Sequence, residues 1–481
     1  MAYYGYITRL KNLHKHPNAD KLQIGECFGN FVIVSMDYED NQLGLYLPSD
    51  GQLSVEFAEA NNLLRKKDEN GNNIGGYMDP NKRNITAIKL RGEKSDGLFL
   101  PLKSLEKFGD ITELVEGTHI DVFNGHEICK KYIPVRKGGN PTVRTGSRKK
   151  IKVALAPTFY EHADTEQLAY NLNAFLPKDE IEITLKLHGT SQRTGYLPVF
   201  KDYNDSFGCR AGNAIRHILN KMGVNSGEDY HDGKSIYEYD YITGTRRVVL
   251  DNYEGGYYGS NEFREQWHNF FKGKLLKGET VYYEVVGFTH TGAPIMGQCS
   301  NKKLNDKEFV KKYGNTTTFS YGCEPFGFKV NPADPEIPTT TPKVDYTTPQ
   351  SDIYVYRMTM TNEDGDVVEY TPYFMRYRCE QMGVKTVPVL WKGVIDETID
   401  WNDAGITAGE WAKEIAERYY DGPDPIGKTH IREGVVVRIL NRPQFKAYKH
   451  KNHSFKMLSG IITEAVADGN ADVNEDVLAE L

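Results

Sequence analysis

A lysine at the end of an alternating segment is the first residue whose setting could support covalent chemistry. In IEITLKLHGTS, the apolar residues Ile181, Ile183 and Leu185 alternate with polar ones, which is the period of a strand with one buried face. Lys186 leaves on the polar side, and Gly189 follows, where the chain can turn tightly. A lysine amine attacks phosphorus only when neutral, a state that desolvation or nearby positive charge favours. The segment is therefore a candidate for a nucleophile, although lysine-x-x-glycine alone is more typical of an exposed strand end.

Two later segments place a carboxylate in a strand-like setting. VYYEVVGF puts Glu284 on the alternate face of a strand, and REGVVVRI puts Glu433 on one face with Val435 and Val437. In both segments a glycine lies close to the acid. Either segment alone is typical of an ordinary half-exposed strand. Together they supply carboxylates that could hold a divalent ion.

Paired lysines occur in the last strand-like segment, QFKAYKHK. Lys449 and Lys451 share one face with Phe445 and Ala447, so two ammonium groups project together. Ammonium groups of this kind neutralise phosphate oxygens as charge builds up during phosphoryl transfer. A carboxylate opposite paired lysines therefore favours a metal-assisted phosphoryl site.

The bulk composition is that of an ordinary globular protein and sets the limits for these motifs. A chain of 481 residues predicts two or three domains, and a net charge of −7 confines any nucleic-acid surface to a local basic patch. The six cysteines form no CxxC pair, which argues against a zinc site or a disulfide framework and favours a cytoplasmic protein. No signal peptide or membrane span is expected, because no apolar run has the required length.

The elements around these motifs divide the chain into four parts. Residues 1–135 contain short apolar runs separated by turns, which predicts a small antiparallel barrel or sandwich. Residues 136–154 form a basic linker, 155–460 a larger α+β region, and 461–481 an acidic C-terminal tail. The linker is a candidate phosphate-attracting segment, or only a solvated hinge. Its basic residues are Arg136, Lys137, Arg144, Arg148, Lys149, Lys150 and Lys152.

The ordered motifs resemble those of a known enzyme superfamily. KLHG, YYEVVGF, IYVYRM, EGVVVR and KHK, spread over residues 180 to 456, resemble motifs I, III, IIIa, IV and V of the covalent nucleotidyltransferases, which comprise RNA ligases, DNA ligases and capping enzymes. Lysine-x-His-Gly resembles the RNA-ligase branch typified by the second phage T4 RNA ligase. HPNADKL (16–22) and AIKLRGEKSDGLFLP (87–101) resemble the OB-type module of tRNA-binding segments. An OB module ahead of a nucleotidyltransferase domain is the layout of the Naegleria-type RNA ligase family.

The resemblance implies an α+β fold with an N-terminal OB-type β-barrel, followed by a nucleotidyltransferase domain of antiparallel sheets flanked by helices. It also implies a role for each motif residue. Lys186 would form the phosphoamide with AMP, Gly189 and Glu284 would contact the nucleotide (Glu284 at the ribose), and Glu433 would organise the catalytic metal. Lys449 and Lys451 would hold the phosphates.

The aromatic and arginine positions are less well defined by the motifs. Tyr354, with Tyr356 on the same strand face, is the candidate to stack on adenine, and a half-buried strand tyrosine is an equally good interpretation. The DNA-ligase pattern has arginine where this chain has Ser191, with Arg193 slightly farther on. RNA-binding candidates are Arg246 first and Arg210 second for the 3′-terminal nucleotide, with Lys89 and Arg91 on the barrel.

The activity implied is that of an ATP-dependent RNA ligase. ATP would adenylate Lys186 with Mg²⁺ or Mn²⁺, AMP would pass to an RNA 5′-phosphate, and a 3′-hydroxyl would displace it. The substrate would be RNA with 3′-OH and 5′-phosphate ends, such as a nicked duplex or a tRNA. A monomer in the cytoplasm (of a host, if the source is viral) is expected, with no membrane association. A DNA ligase or capping-type enzyme is the alternative within the chemistry, and a non-catalytic RNA-binding protein is the alternative outside it.

Overall fold

The computed structural model describes most of the chain. The described residues are 3–49, 51–66, 76–132, 155–162, 165–225, 227, 229, 231–246, 248–250, 253–254, 258, 260–325, 349–401, 403, 405–459 and 462–464. For Lys89 and residues 462–464 only the backbone is described. The basic residues predicted to form a linker at 136–154 lie outside these ranges.

Short strands dominate residues 3–132. The strands are β1 (Gly5–Arg9), β2 (Lys11–Lys15), β3 (Leu22–Cys27), β4 (Asn30–Ser35), β5 (Leu43–Leu47), β6 (Gly51–Leu53), β7 (Ala87–Leu90), β8 (Glu93–Ser95), β9 (Leu98–Pro101), β10 (His119–Ile120), β11 (Val122–Phe123), β12 (His126–Glu127) and β13 (Cys129–Lys131). Helix α1 (Val55–Ala60) and a 3-10 helix (Leu102–Phe108) complete this part.

These strands form several small sheets. The largest has the order β10-β1-β5-β9, and β2-β3-β4 forms a second sheet. Ile7, Leu45, Leu47 and Phe57 lie fully buried in one shared core. The prediction of short antiparallel strands is confirmed, but the described strands do not join into one closed barrel.

The remaining residues combine long strands with helices. The strands are β14 (Glu166–Gln167), β15 (Glu180–Lys186), β16 (Thr190–Tyr203), β17 (Ser235–Gly244), β18 (Val249–Leu250), β19 (Glu279–Gly287), β20 (Cys299–Ser300), β21 (Thr316–Thr317), β22 (Ser351–Thr361), β23 (Val367–Glu369), β24 (Val389–Val394), β25 (Gly434–Ile439), β26 (Lys446–Lys451) and β27 (Ile462–Glu464). The helices are α2 (Phe207–Lys221), α3 (Glu262–Phe271), α4 (Lys307–Tyr313), α5 (Pro372–Met382), α6 (Ala408–Glu417) and α7 (His453–Leu458), with 3-10 helices at Leu168–Tyr170, Leu172–Ala174 and Asn301–Leu304.

Two large sheets organise this part. One has the order β14-β26-β25-β15-β24 and the other the order β18-β17-β16-β19-β22-β23. Every pairing within them is antiparallel except the parallel pairing of β14 with β26. The chain is therefore a mixed α+β protein with mainly antiparallel sheets, as the sequence predicts.

The alternation read in β15 holds in the structure. Ile181 and Ile183 are fully buried in a core that also contains Val435 and Val437 of β25. The opposite face of β15 carries Glu182, Thr184 and Lys186. That polar face lines the cavity described below. Strand β15 therefore contributes apolar side chains to the core on one face and polar or charged side chains to the cavity on the other.

Contacts join the two parts of the chain. Strand β27 pairs in parallel with β7, and the Lys456 ammonium forms an ion pair with Asp96. Tyr170 packs against the aromatic rings of Tyr6 and Phe28. Part of the predicted tail thus adds an edge strand to the N-terminal β-structure, while residues 465–481 lie outside the described ranges. Over the described residues, no helix combines the length and apolarity needed to cross a bilayer.

Candidate active site

A cavity lies between the two large sheets. Strand β15 lines it with Glu182, Thr184 and Lys186, and β25 adds Val436. The other sheet contributes residues of β19 and β22. A wider groove continues past Lys186 toward solvent and is lined by residues from both sheets and from helix α3. Lys186 lines the cavity and the groove, and so lies where they meet.

Lys186, Glu433 and Lys451 form a compact charged cluster. The Lys186 Nζ lies 2.9 Å from the Glu433 Oε1, and the Lys451 Nζ lies 3.5 Å from the same oxygen. Register explains the meeting, since Lys186 and Lys451 both pair with Gly434, one from each side. Burial opposes ionisation of Glu433, but the two ammonium groups hold the pKa of this carboxyl well below its usual range. Glu433 is therefore a buried carboxylate at neutral pH.

His188 closes the cluster on the other carboxylate oxygen. Its Nδ1 lies 3.5 Å from the Glu433 Oε2. The imidazole makes edge contacts with the rings of Phe319 and Phe455, which also contact each other, and its centroid lies 4.7 Å from each of theirs. The backbone N–H of His188 donates to the hydroxyl of Tyr321 at 2.7 Å. In the sequence, His188 only distinguished the RNA-ligase branch from the DNA-ligase branch. In the structure, its ring lies within contact distance of the Glu433 carboxylate.

The prediction that Glu433 shares a strand face with Val435 and Val437 is wrong, and the backbone conformation of Gly434 explains the difference. Its φ of +148° is open mainly to glycine, and a Cβ there would lie 2.1 Å from the carbonyl oxygen of His450. The backbone change breaks the alternation of the strand. Glu433 therefore faces Lys186, while Val435 and Val437 lie in the apolar core.

Glu284 approaches Lys186 from the second sheet. It lines both the cavity and the groove, and burial raises the pKa of its carboxyl to about 7, with the Lys186 charge opposing that rise. Gly189 permits this approach, because a Cβ there would lie 2.4 Å from the Val285 carbonyl oxygen and 2.8 Å from the Glu284 Cγ. Gly189 is needed for this close packing of strands, and its φ is not in the left-handed region.

Lys449 lies in the same sheet, one register step from the cluster. It pairs with Val436, and its neighbours two residues away in β26 are Ala447 and Lys451. Ala447 lines the cavity and Lys451 lines the groove, so the alternation of β26 sets Lys449 on the face between them.

The two candidate tyrosines have different surroundings. The Tyr354 side chain is only 4% exposed, packs in an apolar core and donates to the Asp352 Oδ2 at 3.3 Å. Tyr356 is the extra residue of a β-bulge opposite the Tyr282–Tyr283 pair, and it lines the cavity. Among the described residues, Tyr356 and not Tyr354 is therefore in position to meet a base.

The arginines do not behave alike. Arg246 lines both the cavity and the groove, whereas Arg210 lies exposed on α2 and lines neither. Arg264, on α3, was not identified from the sequence. It is 3% exposed, lines the groove, and donates to the Ser191 carbonyl at 3.1 Å and to the Thr190 Oγ1 at 2.5 Å. An arginine from another element thus contacts the backbone of Ser191, at the position where the DNA-ligase pattern has arginine. Arg193 is 1% exposed, with its guanidinium 4.2 Å from the centroid of the Phe159 ring.

The N-terminal candidates lie on β7 and just after it. Lys89 belongs to β7, and only its backbone is described. The Arg91 Nη1 donates to the backbone carbonyl of Asn18 at 3.0 Å, so part of this guanidinium stabilises the local fold.

Comparison with known proteins gives matches among solved structures only. No protein-family model and no curated protein sequence matches the chain. A variant of the Naegleria gruberi RNA ligase with AMP and Mn aligns over 94% of this chain and 97% of its own, at 15% identity and a TM-score of 0.52. A variant with ATP and Mn aligns over 96% and 99%, at 14% identity and 0.51. The same ligase with PPi aligns over 94% and 97%, at 14% identity and 0.51. Over nearly its whole described length, this chain therefore shares the fold of the Naegleria gruberi RNA ligase structures.

Proposed function

We propose that this protein is an ATP-dependent RNA ligase that forms a covalent lysyl-AMP intermediate on Lys186. The observation that carries the proposal is the position of Lys186 at the junction of a partly enclosed cavity and a more open groove, 2.9 Å from a buried carboxylate. A nucleotide bound in the cavity would bring its α-phosphate to the amine, and the groove would leave space for pyrophosphate and then RNA. The shared fold supports the same assignment.

The charged cluster suits the first step. Attack by Lys186 on the α-phosphate forms the N–P bond and breaks the bond to the pyrophosphate, which leaves with its electron pair. The attacking amine gives up a proton, which would pass to solvent water in the groove that Lys186 lines. Lys451, and Lys449 one register step away, would neutralise phosphate oxygens as negative charge develops.

The residues present fit a divalent ion. Apart from the long 3.5 Å contact with the His188 Nδ1, the buried Glu433 Oε2 has no hydrogen-bond partner among the described residues, although a buried carboxylate oxygen normally accepts one. We propose that this oxygen holds Mg²⁺ or Mn²⁺ through the ion's water shell. The ion would supply Lewis-acid charge beside the α-phosphate. The manganese in the AMP and ATP complexes of the Naegleria ligase supports this assignment.

The cavity walls suit an adenosine. Glu284 projects from the second sheet beside Lys186 and would accept a hydrogen bond from a ribose hydroxyl. Tyr356 and Val436 belong to opposite sheets and both line the cavity, so a planar base could lie between them. We therefore assign the stacking role to Tyr356 and leave Tyr354 a role in the core.

RNA would approach along the groove. Arg246, Arg264 and Lys451 give this groove three cationic side chains, which suits a phosphate backbone. We further propose that residues 1–135, as an OB-type module, together with the basic segment 136–154, contribute to RNA binding. The aromatic and basic residues of the N-terminal β-structure support that role.

A comparison of nucleotides and of backbones tests the proposal against its nearest alternative. Purified protein is given ATP or GTP, Mg²⁺ or Mn²⁺, and matched nicked duplexes with RNA or DNA at the 3′-OH side. We expect sealing with ATP and RNA at least about tenfold faster than with GTP or an all-DNA nick. Preference for GTP without sealing would indicate a capping-type enzyme, and equal sealing of DNA would indicate a DNA ligase. Binding of RNA with no nucleotide transfer would indicate a non-catalytic protein.

A further inference from the structure

Helix α2 is amphipathic with its apolar side turned to solvent. It connects β16 and β17, and none of its residues is buried. Its outward stripe, spaced by three or four residues, consists of Phe207, Ala211, Ala214, Ile218 and Met222, all of them exposed. The exposed fraction of Phe207 is 89% and that of Met222 is 73%.

The inward side of α2 carries mainly small and polar residues, with Leu219 as its large apolar residue. Cys209, Asn213 and Arg216 are half-buried, and Arg216 bonds within the helix to the Asn213 Oδ1 at 3.2 Å. A helix that serves only the fold buries its apolar stripe and exposes its polar side. The reversed arrangement indicates that the outward stripe binds something else.

The charges along α2 indicate which class of partner could bind its apolar stripe. Arg210, His217 and Lys221 are spaced by seven and four residues, so they line one edge of the apolar stripe. The helix contains no acidic residue. A matching partner therefore has an apolar stripe flanked by carboxylates.

Residues 465–481 of the same chain have that chemistry. Val473, Val477 and Leu481 have the spacing of one helical face, and the segment contains no basic residue. Its acidic residues are Asp468, Asp472, Glu475, Asp476 and Glu480. We propose that residues 465–481 dock on the outward stripe of α2, with their carboxylates beside Arg210 and Lys221. This contact is separate from the chemistry of Lys186 and does not depend on it.

Two other occupants fit less well. In an antiparallel two-fold pairing of α2 with a second α2, equivalent edges meet, so the Arg210–Lys221 edges would repel each other. A phosphate backbone suits the basic edge but not the five apolar side chains that dominate the exposed face.

Disulfide trapping in the full-length chain tests the docking. Cysteines are introduced in pairs, Ile218→Cys with Val477→Cys, and Asn220→Cys with Val477→Cys as the matched control. Asn220 lies on the same helix but away from the stripe. After mild oxidation, mass spectrometry quantifies each engineered disulfide, and circular dichroism checks that both variants are folded.

We expect the 218–477 disulfide to form at least tenfold faster than the 220–477 disulfide. Adding Arg210→Glu and Lys221→Glu should slow it several-fold, and adding Asp476→Lys and Glu480→Lys to those changes should restore it. A 218–477 disulfide that forms mainly between two chains would overturn docking within one chain in favour of docking on a second copy. Equal rates for the two pairs would overturn the proposal. If the Ile218→Cys, Val477→Cys protein forms no 218–477 disulfide and a separate Ile218→Asp variant loses RNA binding, the proposal is overturned in favour of an RNA-binding surface.

Discussion

Among single residues, the two tyrosines of β22 give a matched comparison. Tyr356 lines the cavity and Tyr354 is packed in the core. Base stacking contributes about 1–3 kcal/mol, so Tyr356→Ala should raise the KM for ATP in self-adenylation by roughly tenfold. Tyr356→Phe keeps the ring and loses only the 3.0 Å contact with Ser191, so its KM should change little. Tyr354→Phe is the control, and an equal rise in that variant would contradict the assignment to Tyr356.

Glu284 makes a prediction about pH and stability. Burial raises the pKa of its carboxyl from 4.5 to about 7, so the folded protein binds this proton more tightly than the unfolded chain does. The free energy of unfolding that this group contributes is therefore present at low pH and is lost as the pH rises through about 7. The glutamine of Glu284→Gln cannot ionise, so this variant does not lose stability from position 284 as the pH rises.

Urea unfolding near pH 5 and near pH 8 measures the effect. Between these values, Glu284→Gln should gain on the order of 1–3 kcal/mol relative to wild type. The exposed Glu308→Gln serves as the control and should follow wild type at both values. If the difference in free energy of unfolding between Glu284→Gln and wild type is the same near pH 5 and near pH 8, Glu284 is charged throughout this range and the prediction is wrong.

At the scale of elements, Gly434 sets the direction of the central carboxylate. A Cβ at this φ is strained and would meet the His450 carbonyl. Gly434→Ala should therefore lower the free energy of unfolding by about 2–4 kcal/mol and reduce self-adenylation more than tenfold. Gly297→Ala is the control, because a Cβ there has nothing within 4 Å. Denaturant titration and single-turnover labelling measure the two effects, and a stable, active Gly434→Ala would contradict this account of β25.

The predictable elements are those whose pattern is local. The alternation in β15 predicted both its buried face and the exit of Lys186, because the period of two belongs to any half-buried strand. The fold resemblance was also predictable, because the motifs occur in the expected order. The antiparallel character of the sheets followed from the same segments.

The elements that escaped prediction depend on contacts distant in sequence. Arg264 lies more than seventy residues from the Ser191 carbonyl that it binds, and no local pattern marks it. The bulge that directs Tyr356 into the cavity is visible only in the pairing with β19. The closed barrel expected from short strands is not formed by the described residues, because strand periodicity does not specify how sheet edges meet.

At the scale of the whole molecule, nucleotide chemistry and RNA binding would use different parts of the protein. In the proposed function, self-adenylation would need the cavity between the sheets, whereas sealing would also need phosphate contacts along the groove and on the basic segment 136–154. Sealing should therefore fall with rising salt more steeply than self-adenylation does, by about one order of magnitude more between 50 and 200 mM. Rates of both steps on one protein preparation measure this. Equal salt slopes would remove the basic segment from RNA binding.

The most direct test of the central claim is covalent labelling of Lys186. Folded protein is mixed with α-labelled ATP and Mg²⁺ or Mn²⁺, denatured and separated by electrophoresis, beside Lys186→Ala and the control Lys178→Ala, an exposed lysine outside the cavity. The account predicts acid-labile label on wild type and on Lys178→Ala, and none on Lys186→Ala. Label retained by Lys186→Ala, or absent from folded wild type with every metal, would contradict it.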